Sequence, residues 1–362
     1  MPKYLVLSLL LALALLASGC ARIAKPSGWA RPAIVDGTLY VSLDKGKLFA
    51  LDATSYEQKW VFPGGDQFSC GSEDPQKRKL DGIYGEPVVG QDLVYFGAYD
   101  SRVYAIKKDD GSCQWSFDTG DPIVAGLVLD GERLYVPSTD GNLYVLNSET
   151  GEEVQRVEAG DIWVTPLLTE DGELYVPTMD GELWKFTTDP LELRWAPVFN
   201  VSAGLLTTPV LTGGDIVVVG GIGKTLYGVN TEDGQKKWSV DAGNWFWGEP
   251  VVAADGTVFA TSLSGAVYRV DPATGDSKKL YEAVNPIRAG VVLDGDTLIT
   301  VDSSGLVLFL NAQDGTLIKD VDLKNGVYAT PVINDGRLFV LARSGNLFSI
   351  DLESYSVQEV AH

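Results

Sequence analysis

Few side chains in this 362-residue sequence could do acid–base or nucleophilic chemistry, and those few stand apart from one another. The one histidine, His362, is the last residue. Histidine general acid–base catalysis, serine triads and histidine metal sites are thereby excluded. The three cysteines, Cys20, Cys70 and Cys113, are never adjacent. Carboxylates are plentiful, with 49 Asp and Glu against 28 Lys and Arg and a net charge of −21. That balance excludes a nucleic-acid binder, whose affinity would rest on neutralising phosphates. Many of the Asp residues sit in Asp-Gly pairs, among them Asp36-Gly37, Asp130-Gly131, Asp180-Gly181 and Asp335-Gly336, where turn chemistry accounts for them. Calcium would need several oxygen ligands to converge. Strung out along the chain, these carboxylates predict no metal site and no catalytic constellation.

The elements that position these residues are repeated. A segment of the form Leu/Val-aromatic-x-apolar-Asx, seen in Leu48–Asp52, Leu143–Asn147, Leu226–Asn230 and Leu347–Asp351, recurs in eight copies, with Lys107, Thr187 and Leu308 as departures. Successive copies end 55, 40, 40, 43, 41, 40 and 40 residues apart, the long interval marking an insertion between the first two. Each unit holds four short runs of strand character separated by turn signals. In the second unit these are Glu86–Val89, Leu93–Ala98, Arg102–Lys107 and Cys113–Phe117. No segment beyond the N-terminal apolar run keeps a helical period. Four antiparallel strands per repeat, repeated eight times, predict an all-β fold, a single eight-bladed β-propeller.

Within the better copies the Asx residue leads through a glycine to a tryptophan, as in Asn230-Thr231-Glu232-Asp233-Gly234 followed by Trp238. Trp60, Trp115, Trp195 and Trp238 fill this position in four units; Gln155, Lys279, Lys319 and Glu359 fill it in the others. The pattern resembles the tryptophan-docking motif of the PQQ-like propeller repeat family, over the whole mature chain. The resemblance implies that the four indoles wedge between blades as structure. Quinone-dependent dehydrogenases of similar blade count carry long inserted loops, a calcium site, a catalytic Asp and usually adjacent cysteines. The loops here are short and the cysteines separate, so neither PQQ nor calcium is expected. The chain is most similar to the BamB-type propeller lipoproteins of the outer-membrane β-barrel assembly machinery. That similarity implies a monomeric scaffold for envelope proteins, without catalysis or cofactor.

The N-terminus fits export. Lys3 precedes an apolar run from Leu5 to Leu16, broken only by Ser8 and too short to span a bilayer, and then Ala17-Ser18-Gly19-Cys20. This ending resembles a bacterial lipobox. It predicts a lipoprotein-type signal peptide over residues 1–19, lipidation of Cys20, a tether over 20–28 and the propeller over 29–362. An ordinary cleaved signal with an incidental cysteine is the other reading. Lipidation implies attachment to the periplasmic face of the outer membrane, or to the outer face of the plasma membrane in a monoderm.

Recognition chemistry gathers before the first strand of each unit. Six of these strands carry a proline, namely Pro32, Pro87, Pro166, Pro209, Pro250 and Pro331. Three residues ahead of the shared position stand Trp29, Tyr84, Val124, Trp163, Leu206, Trp247, Arg288 and Tyr328. First strands line a propeller's channel, so these residues are expected at a funnel mouth, with Trp245, Phe246, Glu86 and Glu249 nearby. Two readings follow: the rings plug the channel, or they bind a protein, a glycan or another planar ligand. The insertion at 63–82 is a second candidate. It carries Lys77-Arg78-Lys79, read either as a solvated loop or as a contact for phospholipid or an acidic partner. Cys70 lies there too. In an oxidising compartment a bridge from Cys70 to Cys113 would close a loop of about 43 residues, worth roughly 4 kcal/mol in the chain-entropy model.

Overall fold

The computed structural model describes residues 29–43, 46–65, 68–70, 80–213 and 215–361. The expected signal peptide (1–19), the tether (20–28) with Cys20, and Lys77-Arg78-Lys79 lie outside the described residues.

Blade 1 shows how the sequence makes the unit. β1 (Ala33–Val35), β2 (Thr38–Leu43), β3 (Lys47–Asp52) and β4 (Gln58–Phe62) pair antiparallel in chain order. Asp36 and Gly37 join β1 to β2 with φ of 50° and 68°, the left-handed pair of a type I′ turn. Asp335 and Gly336 repeat it in the eighth blade. In six blades an Asx closes the third strand and caps the next turn: Asp52 Oδ1 accepts the amides of Thr54 and Ser55, as Asn230 Oδ1 accepts those of Glu232 and Asp233; Lys107 and Thr187 stand there in blades 2 and 4. Amides so directed at Asp52 hold its carboxyl below the usual range. The recurring Asx is thus a turn cap, as local hydrogen bonding dictates.

Blade 2 contains β5 (Val88–Val89), β6 (Leu93–Ala98), β7 (Arg102–Lys107) and β8 (Cys113–Asp118). β6 and β7 fall where the sequence places them. β5 is shorter, because Pro87 has no N–H to give a ladder. Six further sheets follow, all meanders, making eight blades and an eight-bladed β-propeller. In blade 4 the outer strand is split into Leu191–Leu193 and Phe199–Asn200. Elsewhere a register shift between third and fourth strands, such as Ala50/Leu51, turns the outer strand towards its neighbour.

The core is a ring of eight buried clusters, one at every blade interface. The ring closes where Leu39 and Val41 of blade 1 meet Phe339 and Leu341 of blade 8, without strand exchange. Trp60, Trp115, Trp195 and Trp238 are almost fully buried. Each indole lies on the turn glycine of the next blade, where a Cβ would come within 3 Å of the ring: Trp60 on Gly111, Trp115 on Gly151, Trp195 on Gly234, Trp238 on Gly275. Their N–H groups donate to Lys108, Ser148, Thr231 and Pro272 carbonyls at 2.7–3.2 Å.

In three of the four blades that lack the tryptophan, the next blade supplies the filling; after Lys279 of blade 6 the next blade keeps its glycine, Gly315, against the Leu280 backbone. Tyr355 follows Lys319 of blade 7 and packs against Phe309 at 4.9 Å. Tyr56 follows Glu359 of blade 8, meets Phe339 at 6.2 Å, and its hydroxyl donates to Ser349. Both tyrosines hold the left-handed backbone that glycine holds elsewhere, with φ of 59° and 63°. Leu191 likewise follows Gln155, whose side-chain amide donates to its carbonyl at 3.1 Å.

The described part of the insertion packs between blades 1 and 2. Phe68 meets Phe62 at 5.1 Å and Tyr104 at 6.0 Å, while Cys70, Leu80 and Ile83 are buried. Cys70 and Cys113 come together with their sulfurs in bonding contact and their Cα atoms 5.5 Å apart, a separation usual for bridged cysteines.

Candidate functional site

The extended segment leading into each first strand sends alternate residues into the central channel. Residues three before the proline position form an upper ring; those one before it form a lower ring. A cavity of about 630 Å³ opens at this end, and the upper ring, Trp29, Tyr84, Val124, Trp163, Leu206, Trp247, Arg288 and Tyr328, lines its wall.

The aromatic members are unevenly distributed. On one side a continuous arc runs from Tyr99 to Tyr84 at 5.5 Å, on to Trp29 at 4.5 Å, and then to Tyr328 at 5.7 Å. Arg288 continues it, its guanidinium 4.3 Å from the Tyr328 ring and 5.0 Å from Trp247. Trp245 ends the arc, near-parallel to Trp247 at 6.4 Å. It stands beside the cavity rather than in its wall. Phe246, expected with it, is instead fully buried between blades 5 and 6, because alternation turns it away from its two exposed neighbours. The opposite wall is polar and acidic, with Asp121, Thr139 and Asp161 around Trp163. Trp163 donates from its indole N–H to Asp161 at 2.8 Å, and burial raises the Asp161 carboxyl, with Asp180 and Asp121 adding. Tyr99, Trp163 and Trp245 are 42%, 43% and 38% exposed, while Trp29, Tyr84, Trp247 and Tyr328 are half-buried.

The lower ring forms the throat. Arg31 of blade 1 donates to Glu249 of blade 6 at 3.1 Å, reaching across the channel, and lies 3.6 Å from Glu86. Arg31, Thr208 and Glu249 also line a second cavity of about 950 Å³ beneath, otherwise walled largely by first-strand valines and leucines. The Arg31–Glu249 pair therefore divides the channel. Burial pushes the Glu86 carboxyl up to about 7, Arg31 opposing and Glu249 adding to the rise; burial likewise raises Glu249. The Glu86 side chain is 40% exposed, but to the narrow channel between the blades rather than to open solvent, which is why ionisation is costly there. The sequence reading did not single out Arg31. Its signal was available: Arg31, Glu86 and Glu249 each stand immediately before the repeat proline. Among the described residues no group of three or more His, Cys, Asp or Glu side chains is arranged to hold a metal.

A family model described as outer membrane protein assembly factor BamB matches residues 18–127, 99–280 and 276–358. The chain belongs to the BamB family. BamB of Xanthomonas campestris pv. campestris is 27% identical over 339 residues, 89% of this chain and 81% of that protein. BamB of Yersinia pestis is 27% identical over 169 residues, 42% of each chain, so that match spans less than half of the relative. A quinoprotein ethanol dehydrogenase of Pseudomonas putida is 31% identical over 98 residues, but these cover only 27% of this chain and 15% of the enzyme. The crystal structure of BamB from Moraxella catarrhalis superposes with a TM-score of 0.72 over 90% of this chain and 95% of that one, at 16% identity, a likeness of fold. BamB-family membership and the eight blades together make this a propeller of the outer-membrane assembly-factor kind.

Proposed function

We propose that this BamB-family chain is a non-enzymatic scaffold, anchored through lipid on Cys20, that docks a protein partner of outer-membrane assembly in its funnel mouth. The observation that carries the proposal is the arc of half-buried Trp, Tyr and Arg side chains, exposed at its ends Tyr99 and Trp245, above a throat barred by an ion pair. A socket so shaped admits side chains from a partner surface, and these residue types dominate binding hot spots. No cofactor, neither PQQ nor calcium, enters the proposal.

The chain reaches the ring at Trp29, on the mouth side. A tether over 20–28, fully extended, reaches at most about 30 Å. Lipid on Cys20 would therefore hold the docking surface close to the periplasmic face of the outer membrane.

The test uses affinity capture from the organism's own envelope. Cys20→Ser should leave the protein exported but soluble, and Trp247→Ala with Tyr328→Ala should lose the captured partner while the protein stays folded. Retention of the partner by that double variant would refute docking in the funnel. A glycan is the second reading, favoured by the near-parallel Trp245 and Trp247 faces. It would show as sugar binding abolished by Trp245→Ala.

A further inference from the structure

The aromatic arc holds two cations whose charge is not spent inside the protein. Arg288 lies between Trp247 and Tyr328, and Arg343, at the exposed turn between the second and third strands of blade 8, sits 4.7 Å from the Tyr328 ring and donates to its hydroxyl at 3.0 Å. Among the described residues no carboxylate lies within ion-pair distance of either guanidinium; Arg194, Arg269 and Arg337 share that, but only Arg288 and Arg343 combine it with aromatic rings at the mouth. A guanidinium held by its faces against rings keeps its N–H edge free, and that edge matches a carboxylate in a two-pronged hydrogen bond.

We infer that the Arg288 side of the mouth is a carboxylate receptor for an acidic group of an extended polypeptide, with the neighbouring apolar side chain of that polypeptide lying along the aromatic arc; this rests on the funnel being the docking surface. Charge selects the class. Asp121 and Asp161 on the facing wall repel polyanions such as nucleic acid or sulfated glycan, while a neutral sugar would leave Arg288 unanswered. A single carboxylate flanked by an aromatic or aliphatic side chain satisfies both walls. It can come from a Glu or Asp side chain or from a chain terminus.

The probes are acetyl-Gly-Phe-Glu-Phe-Gly-amide against its Gln analogue, and acetyl-Gly-Phe-Gly-Phe as free acid against its amide, titrated into the full mature chain in detergent with tryptophan fluorescence as readout. The acidic member of one pair should bind about tenfold or more tightly than its neutral twin, and added salt should erode the difference. Whichever pair shows it identifies the source of the carboxylate. Arg288→Gln should remove the difference, Arg288→Lys should keep part of it, and Arg343→Gln, at an exposed site, should reduce it without affecting folding. Equal binding within both pairs, no binding of any peptide at millimolar concentration, or a preference that survives Arg288→Gln in a protein of unchanged melting temperature overturns the inference. The two readings separate in envelope capture. If Trp247→Ala and Tyr328→Ala lose the partner while the Arg288→Gln, Arg343→Gln protein keeps it, docking stands and the carboxylate receptor falls. If the aromatic variants also keep it, docking itself fails.

Discussion

Trp238 and Trp247 are nine residues apart, on either side of the step from blade 5 to blade 6, and truncating them should cost stability very unequally. Trp238 is 6% exposed, packs with Val218, Leu226 and Val258, covers Gly275 and donates its indole N–H to Pro272 at 2.7 Å. Trp238→Ala opens a void at the interface of blades 5 and 6 and orphans that carbonyl. Large aromatic truncations in cores cost about 3–5 kcal/mol. With unfolding entropy near 2.1 cal/mol/K per residue, a propeller of this size should lose on the order of 4–7 °C in melting temperature. Trp247 is half-buried at the cavity wall and touches Arg288 and Trp245. Losing one partly exposed cation–π contact and a ring–ring contact should cost about 1–2 kcal/mol, or some 1–3 °C. Calorimetric melting of the two variants beside the parent protein measures both. A Trp247→Ala loss as large as that of Trp238→Ala would mean that the mouth aromatics are packing, and the functional reading of the funnel would go with them.

Glu86→Gln tests the throat. Because the folded-state pKa of Glu86 is raised to about 7, the stability tied to its protonated form is complete below the ordinary carboxyl range and is lost as pH rises through 7. The Gln variant should match the parent near pH 4.5 and melt higher at pH 8.5, by no more than about 1–2 kcal/mol once water in the channel is allowed for; a lower melting temperature at pH 8.5 would show that the carboxylate beside Arg31 is net stabilising. Reduction, or Cys70→Ser, should lower stability by about 4 kcal/mol in the chain-entropy model, and thiol titration of the unfolded, unreduced protein should find Cys70 and Cys113 unreactive. Tyr355→Gly should destabilise the interface of blades 7 and 8. Adding Lys319→Trp should recover part of the loss, whereas Lys319→Trp alone should not stabilise, since Tyr355 already fills that place against Phe309. Independent effects of the two substitutions would refute the complementary filling.

The blades were legible because their signals are local. An Asx cap, an Asp-Gly turn and a period-two run each act within ten residues, and eight repetitions make the period unmistakable. Trp29, Tyr84, Trp163, Trp247, Arg288 and Tyr328 could be placed together because they share one repeat position. What stayed hidden runs between blades. The exchange of Trp-and-Gly for a left-handed tyrosine pairs residues some 36 positions apart, or joins the two ends of the ring in Glu359 and Tyr56. Arg31 reaches Glu249 across 218 residues, a partnership set by channel diameter, which no sequence period encodes. Phe246 misled because its neighbours Trp245 and Trp247 are exposed, and only the register assigns it to the interior.

The most direct test of the account is a photocrosslinking amino acid placed at Trp163, exposed on the acidic wall of the mouth, and separately at Val154, exposed on the outer strand of blade 3. Irradiated in the living envelope, the Trp163 protein should form a discrete adduct with an outer-membrane assembly component, and the Val154 protein should not. Adducts from Val154 alone would place the partner on the outer rim and contradict docking in the funnel.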